Sequence, residues 1–215
     1  MVGSLESDSR SGVWCIVVQT TPPADAYVPL RSENAPEAGS AIPTHYKSCF
    51  GCGIDHETGL HMVVTAGEDL TANGVFTVTQ HHQGAPGLAH GGLLSAAIDE
   101  VLGSLNWLLG VPAVTGRLEC DFRKPVPVGT TLFVSAQIDA VHGRKVYTSA
   151  QAHMNAIDGP TAVSAKAIFI QVDVQHFLDN GNSAEVKAAF QDRNGKWSKM
   201  APNGDGVVQT LEVNP

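Results

Sequence analysis

The central part of the sequence places a carboxylate, Asp99, in an apolar stretch eight residues after Gly91. An ionised carboxylate among apolar residues is costly unless it is used or paired, so we expect Asp99 to have a functional role. Gly91 and Gly92 precede a predicted helix, whose first N–H groups have no intrahelical acceptor and carry partial positive charge. Such an end binds an anion or polarises a carbonyl group. Together these residues indicate chemistry on a carbonyl compound.

The element that carries Asp99 is predicted to be one long helix over residues 92–109, ended by Gly110 and Pro112. A helix turns by about 100° per residue, so its positions can be sorted into faces. The face of Asp99 has small side chains: Gly92, Ser95, Ala96, Gly103 and Asn106. The opposite face is apolar and is expected to pack on a sheet: Leu94, Ala97, Ile98, Val101, Leu102, Leu105, Leu108 and Leu109. Small residues leave room for a ligand or for a close contact across a dimer, and a site at the dimer interface satisfies both.

The length of this helix bears on how many chains build the site. Eight residues at about 1.5 Å each separate Gly91 from Asp99 by roughly 12 Å along the axis. A carbonyl held about 3 Å from the Gly91 N–H is therefore out of reach of Asp99 on the same helix. If both groups act on one carbonyl, they come from two copies of the chain. This predicts a homodimer with two shared sites and with the two helices side by side in opposite directions.

Strands are predicted on both sides of the helix, and they cover these ranges: 60–65, 75–79, 114–122, 131–141, 146–154 and 162–172. An antiparallel sheet wrapped on one helix fits this order, because a parallel sheet would need a helix at each crossover. The expected fold class is α+β. We expect one domain over residues 41–175, an extension and linker over residues 1–40, and a tail over residues 176–215 with a short helix from Ser183 to Asp192.

The composition argues against several classes of protein. With 215 residues, 43% hydrophobic and 16% charged, the chain is expected to form one buried core and no membrane span. A formal net charge of −8 argues against nucleic acid as the main partner, since phosphate-backbone binding needs a basic surface. Four cysteines are too few for a disulfide scaffold, and the apolar run over residues 13–18 is too short for a signal peptide. We therefore expect a cytoplasmic protein.

Several motifs resemble one known family. The sequence HQGAPGLAHGG over residues 82–92, followed by AID over residues 97–99, looks like the hot-dog-fold thioesterases of the PaaI-like and mammalian acyl-CoA thioesterase (Them) group. CFGCG over residues 49–53 and DFRKPVP over residues 121–127 also resemble that group. The likeness covers about residues 45–172. Its most specific part is His-Gly-Gly with the aspartate at this spacing.

The resemblance implies a hot-dog fold, dimerisation through sheet edges, and hydrolysis of acyl-coenzyme A thioesters. By the same likeness Asp99 matches the catalytic acid, Gly91 the oxyanion donor, His90 its neighbour, and Thr115 the hydroxyl residue near the start of the next strand. The implied partner is acyl-coenzyme A itself, so no separate cofactor is expected. The implied assembly is a homodimer or a dimer of such dimers.

The chemical role of Asp99 stays open at this point. It can attack the thioester to give a mixed anhydride, or deprotonate a water molecule. Two other functions also stay open: a hot-dog protein that binds acyl-coenzyme A without cleaving it, and a hot-dog hydratase or dehydratase. The sequence does not indicate which acyl group is carried.

Further residues are candidates for binding the substrate. Gln83 and Gly92 lie at the helix entry, within reach of a thioester held there. Four basic residues are candidates for the phosphates of coenzyme A, because each offers a charge-assisted hydrogen bond: Arg123, Lys124, Arg144 and Lys145.

A metal site is a weaker hypothesis. His45, Cys49, Cys52 and His56 have a spacing that fits a Cys₂His₂ zinc site. A single C-x₂-C pair with flanking histidines is not specific, so no metal is predicted. Glu100, beside Asp99 in the sequence, is expected to be structural or peripheral.

Overall fold

A computed structural model describes residues 5–7, 14–16 and 19–191. The strands, in chain order, are β1 (Leu5–Ser7), β2 (Trp14–Ile16), β3 (Val63–Ala66), β4 (Thr71–Thr77), β5 (Gln83–Ala85), β6 (Leu88–Ala89), β7 (Ala113–Phe122), β8 (Thr131–His142), β9 (Lys145–Met154) and β10 (Thr161–Gln171). The α-helices are α1 (Gly91–Ser104), α2 (Asn106–Leu109), α3 (Val174–Asn180) and α4 (Ser183–Gln191). Residues 80–82 form one 3₁₀ turn.

The main sheet has six antiparallel strands in the order β3-β4-β8-β9-β10-β7. Helix α1 lies against it and contacts β4, β7, β8, β9 and β10. The predicted α+β class and the antiparallel sheet around one helix are thus confirmed. Because β7 is at one end of the strand order, it is an edge strand, and it lies next to α1.

The core forms between the apolar face of α1 and the inner face of the sheet. Along β8 the buried residues alternate with more exposed ones, as the sequence predicts for a half-buried strand. On α1 and α2 the predicted apolar face is buried at seven of its eight positions: Leu94, Ala97, Ile98, Val101, Leu102, Leu105 and Leu108. This packing fixes which way the remaining faces of α1 point.

The bounds of some elements differ from the predicted ones. The predicted helix begins one residue earlier, at Gly91, and is divided after Ser104, where α2 continues it to Leu109. Strand β4 begins at Thr71 instead of residue 75, because its first residues pair with β8 despite their low strand propensity. At Gly74 an added Cβ would overlap the side chain of Val101, so glycine lets α1 approach β4 closely.

The segment before residue 41 runs along the domain. Tyr27 pairs with Val141 at the end of β8, and the Arg31 guanidinium donates a hydrogen bond to the carbonyl of Gly67, at 2.8 Å. The Ser32 N–H donates to the carbonyl of Leu108. The predicted division of the chain at residues 40 and 175 stays a prediction.

The segment after β10 contains two helices. The helix predicted over residues 183–192 is present as α4, whereas α3 was not predicted. Asp173 caps α3 by accepting a hydrogen bond from the His176 N–H, at 2.9 Å. The Tyr46 hydroxyl donates to Glu185 of α4, at 2.9 Å, and so connects this segment to the loop before β3. The rest of the predicted tail, from residue 192 to residue 215, lies outside the described residues.

Within the described part of the chain, every helix is too short or too polar to cross a membrane.

Substitution Leu102→Ala tests the packing of α1. Leu102 is fully buried, so the change removes apolar contacts and leaves a cavity, and we expect the free energy of unfolding to fall by about 2–5 kcal/mol. Chemical denaturation followed by circular dichroism, at one fixed protein concentration, measures this. The control Ile157→Ala changes a side chain that is 72% exposed and should alter the value by less than about 0.5 kcal/mol. Equal losses in the two variants would contradict the placement of α1.

Candidate active site

Asp99 lies in the middle of α1, on the side that faces the edge strand β7. The Thr115 hydroxyl on β7 donates a hydrogen bond to Oδ1 of Asp99, at 2.9 Å. Burial raises the pKa of Asp99 above its usual value, and the hydrogen bond from Thr115 opposes this rise only in part. A carboxylate whose pKa is raised toward neutrality is suited to accept a proton from water or a substrate. Two residues that the sequence assigns to the site are thus in direct contact.

The N-terminus of α1 is the second part of the site. His90 is the N-cap, and its Nδ1 accepts a hydrogen bond from the Gly92 N–H, at 2.9 Å. Because Nδ1 acts as the acceptor, the neutral ring carries its proton on Nε2. Gly91 is the first helical residue, so its own N–H has no acceptor within the helix. His90 therefore orients the helix entry.

The aromatic ring of Phe122 borders the same helix end. A Cβ added to Gly91 would lie 3.6 Å from this ring, at an ordinary contact distance. Phe122 is the last residue of β7, and it is 53% exposed, an unusual exposure for a large apolar side chain. The end of β7 and the start of α1 therefore form one partly apolar surface.

A hairpin formed by β5 and β6 leads into α1. Gln83 is exposed, and its Oε1 accepts a hydrogen bond from the Gly87 N–H, at 2.6 Å, inside this hairpin. The Ala89 N–H donates to the carbonyl of Val126, and the Val128 N–H to that of Gly87, each at 2.9 Å. The Pro-Val-Pro segment after β7 therefore anchors the hairpin and sets the position of the helix entry. In this arrangement the amide oxygen of Gln83 already has a partner.

Within one chain, Asp99 and the N–H of Gly91 lie too far apart to act on the same carbonyl group. Helix α1 is continuous from Gly91 past Asp99, so the rise of roughly 12 Å between them holds. The structure thus brings Asp99 together with Thr115, and Gly91 together with His90 and Gly92.

The four basic residues lie at opposite ends of the sheet. Arg123 and Lys124 follow the end of β7, whereas Arg144 and Lys145 lie at the turn from β8 into β9. The register through β10 places Lys145 level with Val114, at the other end of β7. At about 3.3 Å per residue the two pairs are roughly 30 Å apart. One chain therefore does not gather all four on one phosphate group.

Glu100 lies beside three residues of the candidate zinc site, a contact that their spacing in the sequence did not indicate. Its Oε1 lies 3.0 Å from Nδ1 of His45, and its Oε2 lies 3.6 Å from the sulfur of Cys49. His56, the fourth residue of the candidate zinc site, instead packs its ring edge-on against Phe50, with 5.3 Å between the ring centres. The sequence did indicate that Glu100 needs a partner, because it is a second carboxylate in an apolar helix.

Comparison with known proteins identifies the central segment. The family model of the thioesterase superfamily matches residues 86–154, which include Gly91, Asp99 and Thr115. This part of the chain is similar to that superfamily. The resemblance that the sequence motifs predict is thereby confirmed.

The chain is also similar to individual proteins. It is 36% identical over 92 residues to acyl-coenzyme A thioesterase THEM4 of Bos taurus, an alignment that covers 42% of this chain and 37% of the relative. THEM4 of Mus musculus is 35% identical over 94 residues, covering 43% of this chain and 40% of the relative. The chain thus spans about two fifths of the length of the curated relatives that it matches.

A solved structure supports the fold. The crystal structure of a thioesterase superfamily protein matches with a TM-score of 0.54 and 26% sequence identity, over 64% of this chain and 70% of that chain. The predicted hot-dog fold is confirmed.

Substitution Thr115→Val tests the electrostatics of the site. The ionised form of Asp99 then loses a hydrogen bond while its burial is retained, so we expect the pKa of Asp99 to rise further. Titration of the Asp99 side-chain carbon by ¹³C NMR measures it. Thr77→Val is the control, because the Thr77 hydroxyl on β4 pairs with that of Thr131 and does not contact Asp99. A rise of the same size in both variants, or no rise in the first, would contradict a direct interaction.

Proposed function

We propose that this protein hydrolyses acyl-coenzyme A thioesters, with Asp99 as the catalytic carboxylate. The contact of Asp99 with Thr115, inside the segment that matches the thioesterase superfamily, is the main support. Acyl-coenzyme A thioesterases are among the proteins to which the chain is similar, and this likeness supports the substrate class.

Asp99 has two chemical routes to the products. In one, a carboxylate oxygen attacks the thioester carbonyl, coenzyme A leaves as its thiolate, and water hydrolyses the resulting mixed anhydride. In the other, Asp99 takes a proton from a water molecule as that water attacks the carbonyl. Both routes release a carboxylic acid and the thiol of coenzyme A. In both, Thr115 holds the carboxylate in position through its hydrogen bond.

The developing charge on the carbonyl oxygen needs a donor, and the Gly91 N–H at the start of α1 is suited to this role. Because Gly91 lies roughly 12 Å from Asp99 along the same helix, the donor must come from a second chain. We therefore propose that each site combines Asp99 and Thr115 of one subunit with the helix entry of its partner. Phe122, beside Gly91, would line the same shared cleft.

Strand β7 is the surface through which two chains would join. It is an edge strand of the main sheet, and an unpaired edge is a template for another strand. Pairing of two β7 strands about a twofold axis makes them antiparallel and joins the two sheets into one. The helices packed beside β7 then also run in opposite directions, as a shared site requires. A homodimer, alone or as half of a dimer of dimers, satisfies this geometry.

The same symmetry explains the separated basic residues. In an antiparallel pair, Arg123 and Lys124 at the end of one β7 come to the sheet end that carries Arg144 and Lys145 of the other subunit. The Nε of Arg144 is buried and, among the described residues, lacks a hydrogen-bond partner, so it is a candidate for a phosphate contact. We propose that the nucleotide end of coenzyme A binds there. Gln83 and Gly92 are proposed to contact the thioester end.

Other features of the proposed function stay predictions from the sequence. These are the cytoplasmic location, the lack of a separate cofactor, and the lack of nucleic acid or membrane partners.

Substitution Asp99→Ala tests the catalytic assignment. Removal of the carboxylate eliminates the nucleophile or base, so turnover should fall at least about 100-fold. Thiol release from a panel of acyl-coenzyme A esters measures this, with circular dichroism and gel filtration to verify fold and assembly. Asp158→Asn, in the turn after β9, is the matched control and should keep wild-type rates. Near wild-type turnover in a folded Asp99→Ala protein would reject the role of Asp99, and binding without turnover by the wild type would favour a carrier.

Mixed dimers test the shared site. One chain carries Asp99→Ala and the other Gly91→Leu, so each homodimer lacks one half of both of its sites. A mixed dimer has one site with both defects and one intact site. At equal mixing about half of the dimers are mixed, so recovery to about a quarter of wild-type turnover is expected. No recovery after subunit exchange has been demonstrated by mass spectrometry would contradict a site built from two chains.

A further inference from the structure

Four side chains with metal-binding atoms meet between the loop before β3 and the middle of α1. Nδ1 of His45, the sulfur of Cys52 and a carboxylate oxygen of Glu100 all lie within 4.8 Å of one another. Nδ1 of His45 is 3.4 Å from the Cys52 sulfur and 3.0 Å from Oε1 of Glu100. The sulfur of Cys49 lies 3.6 Å from Oε2 of the same carboxylate. These residues come from positions up to 55 apart in the chain, so the fold alone brings them together.

The separations between these ligand atoms are close to those around a tetrahedrally coordinated ion. Zinc binds thiolate sulfur at about 2.3 Å and histidine nitrogen or carboxylate oxygen at about 2.0–2.2 Å, so neighbouring ligand atoms in a tetrahedron are roughly 3.3–3.8 Å apart. The separation of 3.4 Å between His45 and Cys52 lies in that range, and that of 3.0 Å between His45 and Glu100 is slightly shorter. Cys49 contacts the other oxygen of Glu100, beside the group formed by the other three.

The local charge also favours a cation. The side chain of Glu100 is only 9% exposed, and Cys52 is 6% exposed. The cationic partner that the structure gives Glu100 is His45, which is charged only when protonated. Burial of a carboxylate is costly without a compensating charge, and direct coordination to a divalent ion would place a cation beside it.

The loop is shaped to present the two sulfurs. Its backbone turns back at the C-x₂-C segment, where the Gly53 N–H donates to the carbonyl of Cys49, at 2.8 Å. The His45 N–H donates to the Cys52 sulfur, at 3.3 Å, and such a bond stabilises a thiolate ligand. A Cβ at Gly51 would overlap the Glu100 carboxylate, so glycine there leaves the space that the carboxylate occupies.

We propose that His45, Cys49, Cys52 and Glu100 bind one zinc ion. Two thiolates with an imidazole and a carboxylate are ligands that zinc accepts in a closed, four-coordinate structural site. On binding, the two thiols release their protons to solvent. Glu100 takes the place that sequence spacing gave to His56. The ion joins the loop before β3 to α1 at the residue next to Asp99, so it holds the catalytic helix in place.

Metal analysis of the 215-residue chain, purified under reducing conditions, tests this site. We expect about one zinc per chain by mass spectrometry of the metal. In the apo protein reloaded with zinc chloride, Glu100→Gln and Cys52→Ser should each increase the zinc Kd at least about tenfold, because each removes a ligand. Cys120→Ser, on β7, is the matched cysteine control and should bind as the wild type does.

Cobalt provides a second measurement on the unaltered protein. Cobalt bound to thiolates in a tetrahedral site shows sulfur-to-metal charge-transfer absorption, and zinc should displace it. This result decides the question even if a cysteine variant does not fold. A reduced wild type that takes up neither metal, or a Cys52→Ser protein that retains the wild-type zinc Kd, would overturn the proposal. A Cys49–Cys52 disulfide in the purified protein that, once reduced, still binds no zinc would overturn it as well. None of these readouts depends on thioester turnover, so this proposal and the proposed activity can fail separately.

Discussion

Burial of one face of α1 against the antiparallel sheet is the constraint on which the rest of the molecule depends. The buried residues on that face determine the rotation of the helix about its axis. Once the rotation is set, Asp99 must face β7, and Glu100, about 100° further round, must face the loop before β3. Any change in this packing would move both carboxylates at once.

Asp99 and Glu100 are neighbouring carboxylates whose surroundings shift their pKa values in opposite directions. Burial raises the pKa of Asp99, and the hydrogen bond from Thr115 opposes this rise only in part. Burial also acts to raise the pKa of Glu100, but hydrogen bonds from His45 and the two cysteines outweigh it, so that pKa is lowered. Adjacent residues on one helix therefore have opposite properties, one suited to accepting a proton and one to staying ionised.

The edge strand β7 explains why a single chain is an incomplete enzyme in the proposed function. It carries Thr115 near its start and Phe122 at its end, and no strand of the described residues pairs with its outer edge. A partner that pairs there would supply the helix entry that Asp99 cannot reach on its own helix. The same contact would bring basic residues from two chains to one end of the joined sheet. Catalysis and assembly would then depend on the same strand.

The sequence alone determined the elements whose signals are local. The 3.6-residue period of apolar residues predicted α1 and its buried face, and the alternation along β8 predicted its orientation, because these patterns repeat over many residues. The glycines before the helix and the carboxylate of Asp99 were also visible, since each conflicts with its surroundings. The start of β4 was not, because Asn73 and Gly74 become a strand only by pairing with β3 and β8.

Only the tertiary structure decided which distant side chains meet. The contacts of Glu100 with His45 and the two cysteines form because the loop before β3 folds back onto α1. A periodic sequence pattern does not predict a contact between residues 55 apart. The separation of the basic residues to opposite ends of the sheet likewise follows from strand register. Local patterns report how a segment is buried, whereas the choice of partner depends on how segments pack in three dimensions.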